Sequence, residues 1–205
     1  NKILVKVEVN HVFRGSVYPI TQGKLSDAAQ QEFSRSIIIP ILDPDELYAS
    51  KLVAALDRQH PRDLFDVMNL YSHGGITPRI RRAFVVYIAG HNRPIHELLP
   101  PQTQDISRSF EQEFKGMTGS PVSLAQLEET RERLFKEFPS TFDDKERAFL
   151  LSIKRLKPDW DILGVPGIEN LPAIKWKLLN LDKLSKSNPG KYRTMLYQLE
   201  SRLGQ

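Results

Sequence analysis

The stretch "RQHPRDLFDV", residues 58–67, sets Asp63 and Asp66 three positions apart on one face of a helix that begins beside Pro61. Two carboxylates on one helical face can hold a cation, orient a lysine or arginine, or answer the dipole of a helix start, an effect worth about 0.3–1 kcal/mol. The dipole accounts for Asp63. It accounts less well for Asp66, which lies a turn further in, between Phe65 and Val67. Like charges at this spacing repel, so cations belong nearby, and Lys51, Arg58 and Arg62 are the nearest along the chain. Lys51 and Arg58 lie seven residues apart, nearly two turns, and share a face of the preceding helix. From physics alone, a helix-to-helix ion-pair network and one wall of a polar active site are equally good readings.

Other residues carry weaker signals. Glu8, in "KVEVN", is a lone carboxylate in the middle of a strand, which is unremarkable on an exposed face. Lys51 alone is an ordinary solvated lysine of an amphipathic helix. His60 precedes a proline and reads as a loop residue; His11, His73, His91 and His96 form no metal-ligand spacing with it. No glycine-rich phosphate loop and no Gly-x-Ser-x-Gly elbow is present. "AIKWKLLNLDKL", residues 173–184, surrounds Trp176 with Lys175, Lys177 and Lys183. Aromatic and basic side chains together can stack on and neutralise a nucleic acid, but packing the indole against a bundle and leaving the lysines in water is the simpler expectation.

The bulk composition bounds the answer. The chain has 205 residues, 40% hydrophobic and 26% charged, ordinary for a globular protein with a substantial core. No run of about 18 apolar residues offers a membrane span, and no signal peptide is visible. The absence of cysteine excludes disulfides and thiolate chemistry and suits a reducing cytoplasm, the expected location. Net charge is +4 and uneven: in residues 151–205, ten Lys and Arg face five Asp and Glu. Such an excess permits a polyanionic partner, although a solvated surface is the better explanation of so modest an excess.

The elements that must position these residues follow from periodicity. Residues 3–13, "ILVKVEVNHVF", alternate as a strand, and "SVYPIT" and "SIIIPIL" are proline-interrupted strands suited to a sheet edge. Because the chain starts at Asn1 with a strand already under way, it reads as a fragment whose remaining strands lie upstream. At Asp43 the character turns helical, with Asp43 as N-cap, Pro44 at the first position and Glu46 completing a capping box. Leu47, Leu52, Val53 and Leu56 form the expected buried stripe of that helix. Further helices are expected over 62–72, 78–89, 105–117, 123–138, 143–157, 173–184 and 189–203. The fold class is therefore α+β, the remnant of a mixed sheet followed by a mainly helical bundle, divided at 1–42, 43–76 and 77–205.

Taken in order, "KVEVN", "LDPDELYASKLVAAL", "RQHPRDLFDV" and "LPAIKWKLLNL" resemble the AbiEii/AbiGii nucleotidyltransferase toxin family of AbiE-type toxin–antitoxin and abortive-infection systems. That family is similar to DNA polymerase β-type nucleotidyltransferases, with a Gly-Ser motif, an Asp-x-Asp pair and a third carboxylate on a later strand. The resemblance implies that Glu8 is this third carboxylate and a metal ligand, that Lys51 faces nucleotide phosphates together with Arg58 and Arg62, and that Asp63 and Asp66 are the family's Asp-x-x-Asp. It implies a nucleoside triphosphate as substrate, Mg²⁺ as cofactor, a cognate antitoxin as partner, and RNA, such as tRNA, as acceptor, without a membrane. The chemistry needs clustered carboxylates because nucleotidyl transfer is an in-line displacement at phosphorus assisted by divalent ions. Gly-Ser and Asp-x-Asp would precede Glu8, so the parent protein is expected to be the enzyme and these 205 residues alone to be inactive. The alternative is a non-catalytic helical binding module that keeps the Asp-x-x-Asp helix as scaffold. An upstream Gly-Ser/Asp-x-Asp or a neighbouring antitoxin gene would favour the toxin.

Overall fold

Proline and capping residues set most of the element boundaries. The computed structural model describes residues 15–204; the expected first strand and Glu8 lie outside them. Strand β1 (Thr21–Lys24) pairs antiparallel with β2 (Ile38–Ile41), Thr21 opposite Ile41 and Lys24 opposite Ile38. The second strand falls where "SIIIPIL" places it, with Pro40 opposite Gln22. The first begins at the end of "SVYPIT", just past Pro19 and Ile20. Pro40, without an N–H, is tolerated because both strands are edges among the described residues. Ile38, Ile39 and Ile41 stay exposed.

Between the strands runs a helix that periodicity does not reveal, α1 (Asp27–Phe33), because "DAAQQEF" buries none of its residues. It rests on local chemistry instead: the Ser26 hydroxyl accepts from the Ala29 N–H, and Ser34 closes it in the left-handed conformation at φ 47°.

The bundle follows with α2 (Pro44–Asp57), α3 (Pro61–Ser72), α4 (Pro78–Ala89), α5 (Ser107–Glu113), α6 (Leu124–Glu137), α7 (Asp144–Lys154), α8 (Pro172–Ser187) and α9 (Pro189–Leu203). This is the expected α+β arrangement, a minimal sheet with a helical bundle. Proline opens five of these helices at the first position, where its missing N–H costs nothing. Ser123 with Gln126, and Asp143 with Glu146, form true capping boxes.

The helix at 44–57 departs from its expected start and stripe. Asp43 is the N-cap, accepting from the Asp45 N–H, but Glu46 does not reach back to it. Glu46 is fully buried and accepts four hydrogen bonds, from Ser16 Oγ (2.9 Å), Val17 N (2.8 Å), Tyr18 N (2.9 Å) and Tyr87 Oη (2.9 Å). It therefore latches residues 16–18 onto α2 and α4. Leu47, expected inside, is 46% exposed; the stripe is Ala49, Leu52, Val53 and Leu56, rotated toward α4.

The core runs continuously from Leu52 and Leu56 through Phe84 and Ile88 to Phe149 and Leu199. Phe84 meets Phe138 edge to face at 4.6 Å. Across α4 and α7, Arg81 Nε donates to both oxygens of the buried Glu146 (2.9 and 2.6 Å). At the end of α4, Gly90 lets α8 come close: a Cβ there would lie 2.8 Å from the Ala173 Cβ.

Candidate functional site

The α2–α3 hairpin positions the charged residues. Its turn holds Arg58 in a helical conformation and Gln59 in the left-handed region at φ 50°. Such a conformation is strained for a side chain other than glycine or asparagine. The burial of Gln59 holds it there: its amide donates to the Gln102 carbonyl (2.6 Å) and its oxygen accepts from the Gln104 N–H (3.0 Å). His60, read as a loop residue, is the N-cap of α3, and the helix starts one residue earlier than expected, at Pro61. His60 Nδ1 accepts from the Arg62 N–H (3.2 Å), which leaves the ring proton on Nε2 to donate to Glu113 Oε2 (3.1 Å). Both ring nitrogens are engaged, so the imidazole is a cap.

Two ion pairs join the helices as rungs. Nearer the turn, Arg58 grips Asp63 in bidentate fashion, Nε to Oδ2 at 2.6 Å and Nη2 to Oδ1 at 3.0 Å. The Asp63 side chain is 2% exposed, whereas the guanidinium reaches into solvent. The hydrogen bond to Asp63 pushes the Arg58 pKa above its ordinary value. Further along, Lys51 Nζ meets Asp66 Oδ2 at 2.8 Å, with side chains 40% and 33% exposed. The antiparallel course of the hairpin makes this pattern, since residues nearer the turn on α2 oppose residues nearer the turn on α3.

Lys51, Arg58, Asp63 and Asp66 are thus brought together. Arg62 is not, for it turns toward α5, where it lies 3.7 Å from Glu113. The environments of the two acids differ. Asp63 is sealed, both oxygens committed to Arg58, while the Lys51–Asp66 pair faces water and can exchange its contacts with an incoming anion. The donor set does not fit a magnesium ion, which needs carboxylate oxygens free of other cations. Among the described residues no cluster of three acidic or histidine groups has metal-binding geometry.

The "AIKWKLL" segment reverses its expected orientation. Trp176 is 54% exposed, and Lys177 is buried, its Nζ donating to the carbonyls of His91 (2.6 Å) and Arg93 (2.9 Å). The reason is geometric: the close approach of α8 to Gly90 sets Lys177, not Trp176, against the carbonyls after α4. Burial pushes the Lys177 pKa down to about 8, and that of Lys154 on α7 likewise to about 8. Lys154 carries no motif that would flag it. Tyr87 is equally hidden, and the capping-box position of Glu46 conceals its role as a buried acceptor; burial first, and then the bond to Glu46, push the Tyr87 hydroxyl well above its ordinary pKa.

Comparison with known proteins agrees with the motif reading. The family model "Nucleotidyl transferase AbiEii toxin, Type IV TA system" matches residues 1–179, and so covers both rungs of the hairpin. No curated protein and no solved structure matches the chain.

Proposed function

The chain belongs to the AbiEii family of nucleotidyl transferase toxins of type IV toxin–antitoxin systems, and from that premise we propose that Lys51 receives the phosphates of a nucleoside triphosphate. The observation that carries this reading is the Lys51–Asp66 pair, a half-exposed ammonium fixed at 2.8 Å by a carboxylate on the adjoining helix. In nucleotidyl transfer an acceptor oxygen bonds to the α-phosphorus as the bond to the pyrophosphate oxygen breaks, and negative charge grows on the leaving group. An ammonium at the phosphates stabilises that charge. Asp66 acts through Lys51 as a positioning residue, holding it until the triphosphate takes its place. Asp63 positions Arg58, whose guanidinium adds positive potential on the same side.

Divalent magnesium would supply further charge stabilisation. Glu8 is the residue of this chain we assign to it, and the ion-paired Asp63 and Asp66 are not its ligands. The acceptor we propose is RNA, with tRNA as the first candidate, and a cognate antitoxin protein as the neutralising partner. Transfer of radiolabel from each of the four nucleoside triphosphates to total RNA tests the reading. Label in RNA that disappears with Lys51→Ala supports it, and equal labelling by the variant overturns it.

A second reading has its own support. The burial of Asp63 and its bidentate bond to Arg58 suit a scaffold as well as a site, as a non-catalytic binding module would require. Asp66, at the open rung, separates the two readings, because a scaffold loses little when that acid is neutralised.

A further inference from the structure

A cavity of about 430 Å³ opens between the Ile95–Glu97 turn, α7, α8 and α9, and shares no lining residue with the α2–α3 rungs. Its size suits a small organic ligand. Lys154, Lys177, His96 and Trp176 line it, over an apolar floor that includes Leu181 and Leu199, and no acidic residue contributes to the wall. Lys154 is the residue that calls for explanation. It is 4% exposed, yet among the described residues its Nζ has neither a carboxylate nor a hydrogen-bond acceptor, only the Tyr192 ring at 5.2 Å. An ammonium shielded from water on every side but the cavity is costly, and an anion beside it there offsets the cost. Lys177 brings a second ammonium to the same wall, two of its three protons already committed to carbonyls. Trp176 brings an exposed indole to the cavity.

We propose that this cavity binds a nucleotide unit of a single-stranded nucleic acid, with its phosphate on Lys154 and Lys177 and its base stacked on Trp176. Inorganic phosphate would need the ammoniums but not the indole; an apolar ligand would need the floor but not the ammoniums. The neighbouring groove selects a polymer. A larger depression of about 890 Å³ continues from the cavity, sharing Pro94, His96, Leu184 and Met195 with it, and carries Lys191 and Arg202 together with Arg93, which is paired with Asp57 at 2.9 Å and lies 3.7 Å from Glu97. A cationic track leading out of a stacking platform is what a phosphate backbone follows. Four of the ten Lys and Arg of residues 151–205 (Lys154, Lys177, Lys191 and Arg202) line the cavity or this groove.

The pH sensitivity of the ammoniums is consistent with this placement. Lys154 and Glu97 act on Lys177, the first lowering and the second raising its pKa, while burial is the principal cause of its depression; a bound phosphate would act in the same sense as Glu97.

Fluorescence anisotropy of a labelled tetraribonucleotide tests the proposal on the intact chain. Lys154→Met keeps the buried stem, and Trp176→Ala changes an exposed side chain, so both variants should fold, as circular dichroism will check. Each is expected to weaken binding about tenfold, in line with one lost stacking or phosphate contact. Lys115→Ala, exposed just past the end of α5 and outside both the cavity and the rungs, is expected to bind the tetranucleotide like the unaltered chain; Lys154→Met and Trp176→Ala leave the Lys51–Asp66 pair in place, so failure of this proposal and failure of the Lys51 reading are told apart. Unlabelled uridine monophosphate should compete, whereas uridine and inorganic phosphate at the same concentration should not. Unchanged affinity in both Lys154→Met and Trp176→Ala would overturn the proposal. So would inorganic phosphate competing as well as the nucleotide, which marks a bare anion site.

Discussion

Neutralising the two acids of the α3 face should have opposite consequences. Asp63→Asn removes the charge from a side chain that is 2% exposed and holds Arg58 through two short bonds. Charge-assisted hydrogen bonds of this kind contribute about 1.5–3 kcal/mol. Because the guanidinium remains solvated, the lower half of that range applies, roughly 2 kcal/mol. For a chain of this size each kcal/mol shifts the thermal midpoint by about 2–4 °C, so the expected loss is about 4–8 °C. Asp66→Asn breaks an open pair whose partners are 40% and 33% exposed. Such pairs contribute about 0.2–1 kcal/mol, which predicts a shift below about 4 °C. Thermal unfolding by circular dichroism reads stability, and transfer of labelled nucleotide to RNA reads activity. Asp66→Asn should lose most activity at nearly unchanged stability, while Asp63→Asn loses stability first. Full activity in Asp66→Asn, or a midpoint loss as large as that of Asp63→Asn, would refute the division of roles between the rungs.

Two further outcomes follow from buried charges. The folded state holds Lys154 at about 8 against an ordinary 10.5, so folding disfavours its proton; the cost is full below pH 8 and fades as pH rises from 8 toward 10.5. Lys154→Met should therefore unfold at a higher temperature than the unaltered chain at pH 7, with the gap closing toward pH 10, and a gap independent of pH would contradict this. Glu46→Gln cannot accept all four of the hydrogen bonds that reach the carboxylate, and it leaves buried donors unpaired at about 1–3 kcal/mol each. The thermal midpoint should fall by several degrees, and hydrogen exchange at Val17 and Tyr18 should accelerate; unchanged protection there would show that the latch is not what holds this segment.

What the sequence reveals here is local, and what it hides is long-range. The helices of the α2–α3 hairpin and α4 could be bounded within a residue or so because Asp43, Pro44, Pro61, Thr77 and Pro78 act within one turn of themselves. The need for cations beside Asp63 and Asp66 was also legible, since charge spacing on a helix is a local property, and Lys51 and Arg58 meet it. Arg62, equally near in sequence, was not distinguishable from them until α5 supplied Glu113. Glu46 misled because a carboxylate at the third helical position suits a capping box, and only the return of residues 16–18 across α2 makes it a buried acceptor. Lys177 and Trp176 exchange their expected places because carbonyls more than eighty residues earlier decide which side of α8 faces inward. The helix α1 has no buried face at all, so no hydrophobic period exists to read.

On the proposed reading Lys51, held by Asp66, serves the phosphates of a nucleoside triphosphate in a nucleotidyl transferase. The most direct measurement is transfer of α-labelled nucleotide to RNA by the full-length protein and its Lys51→Ala variant, at matched folding. Labelled RNA is expected from the unaltered protein and a loss of at least about a hundredfold in the variant, the scale of removing one preorganised charge from a transition state. Labelling at the same rate in both would contradict it.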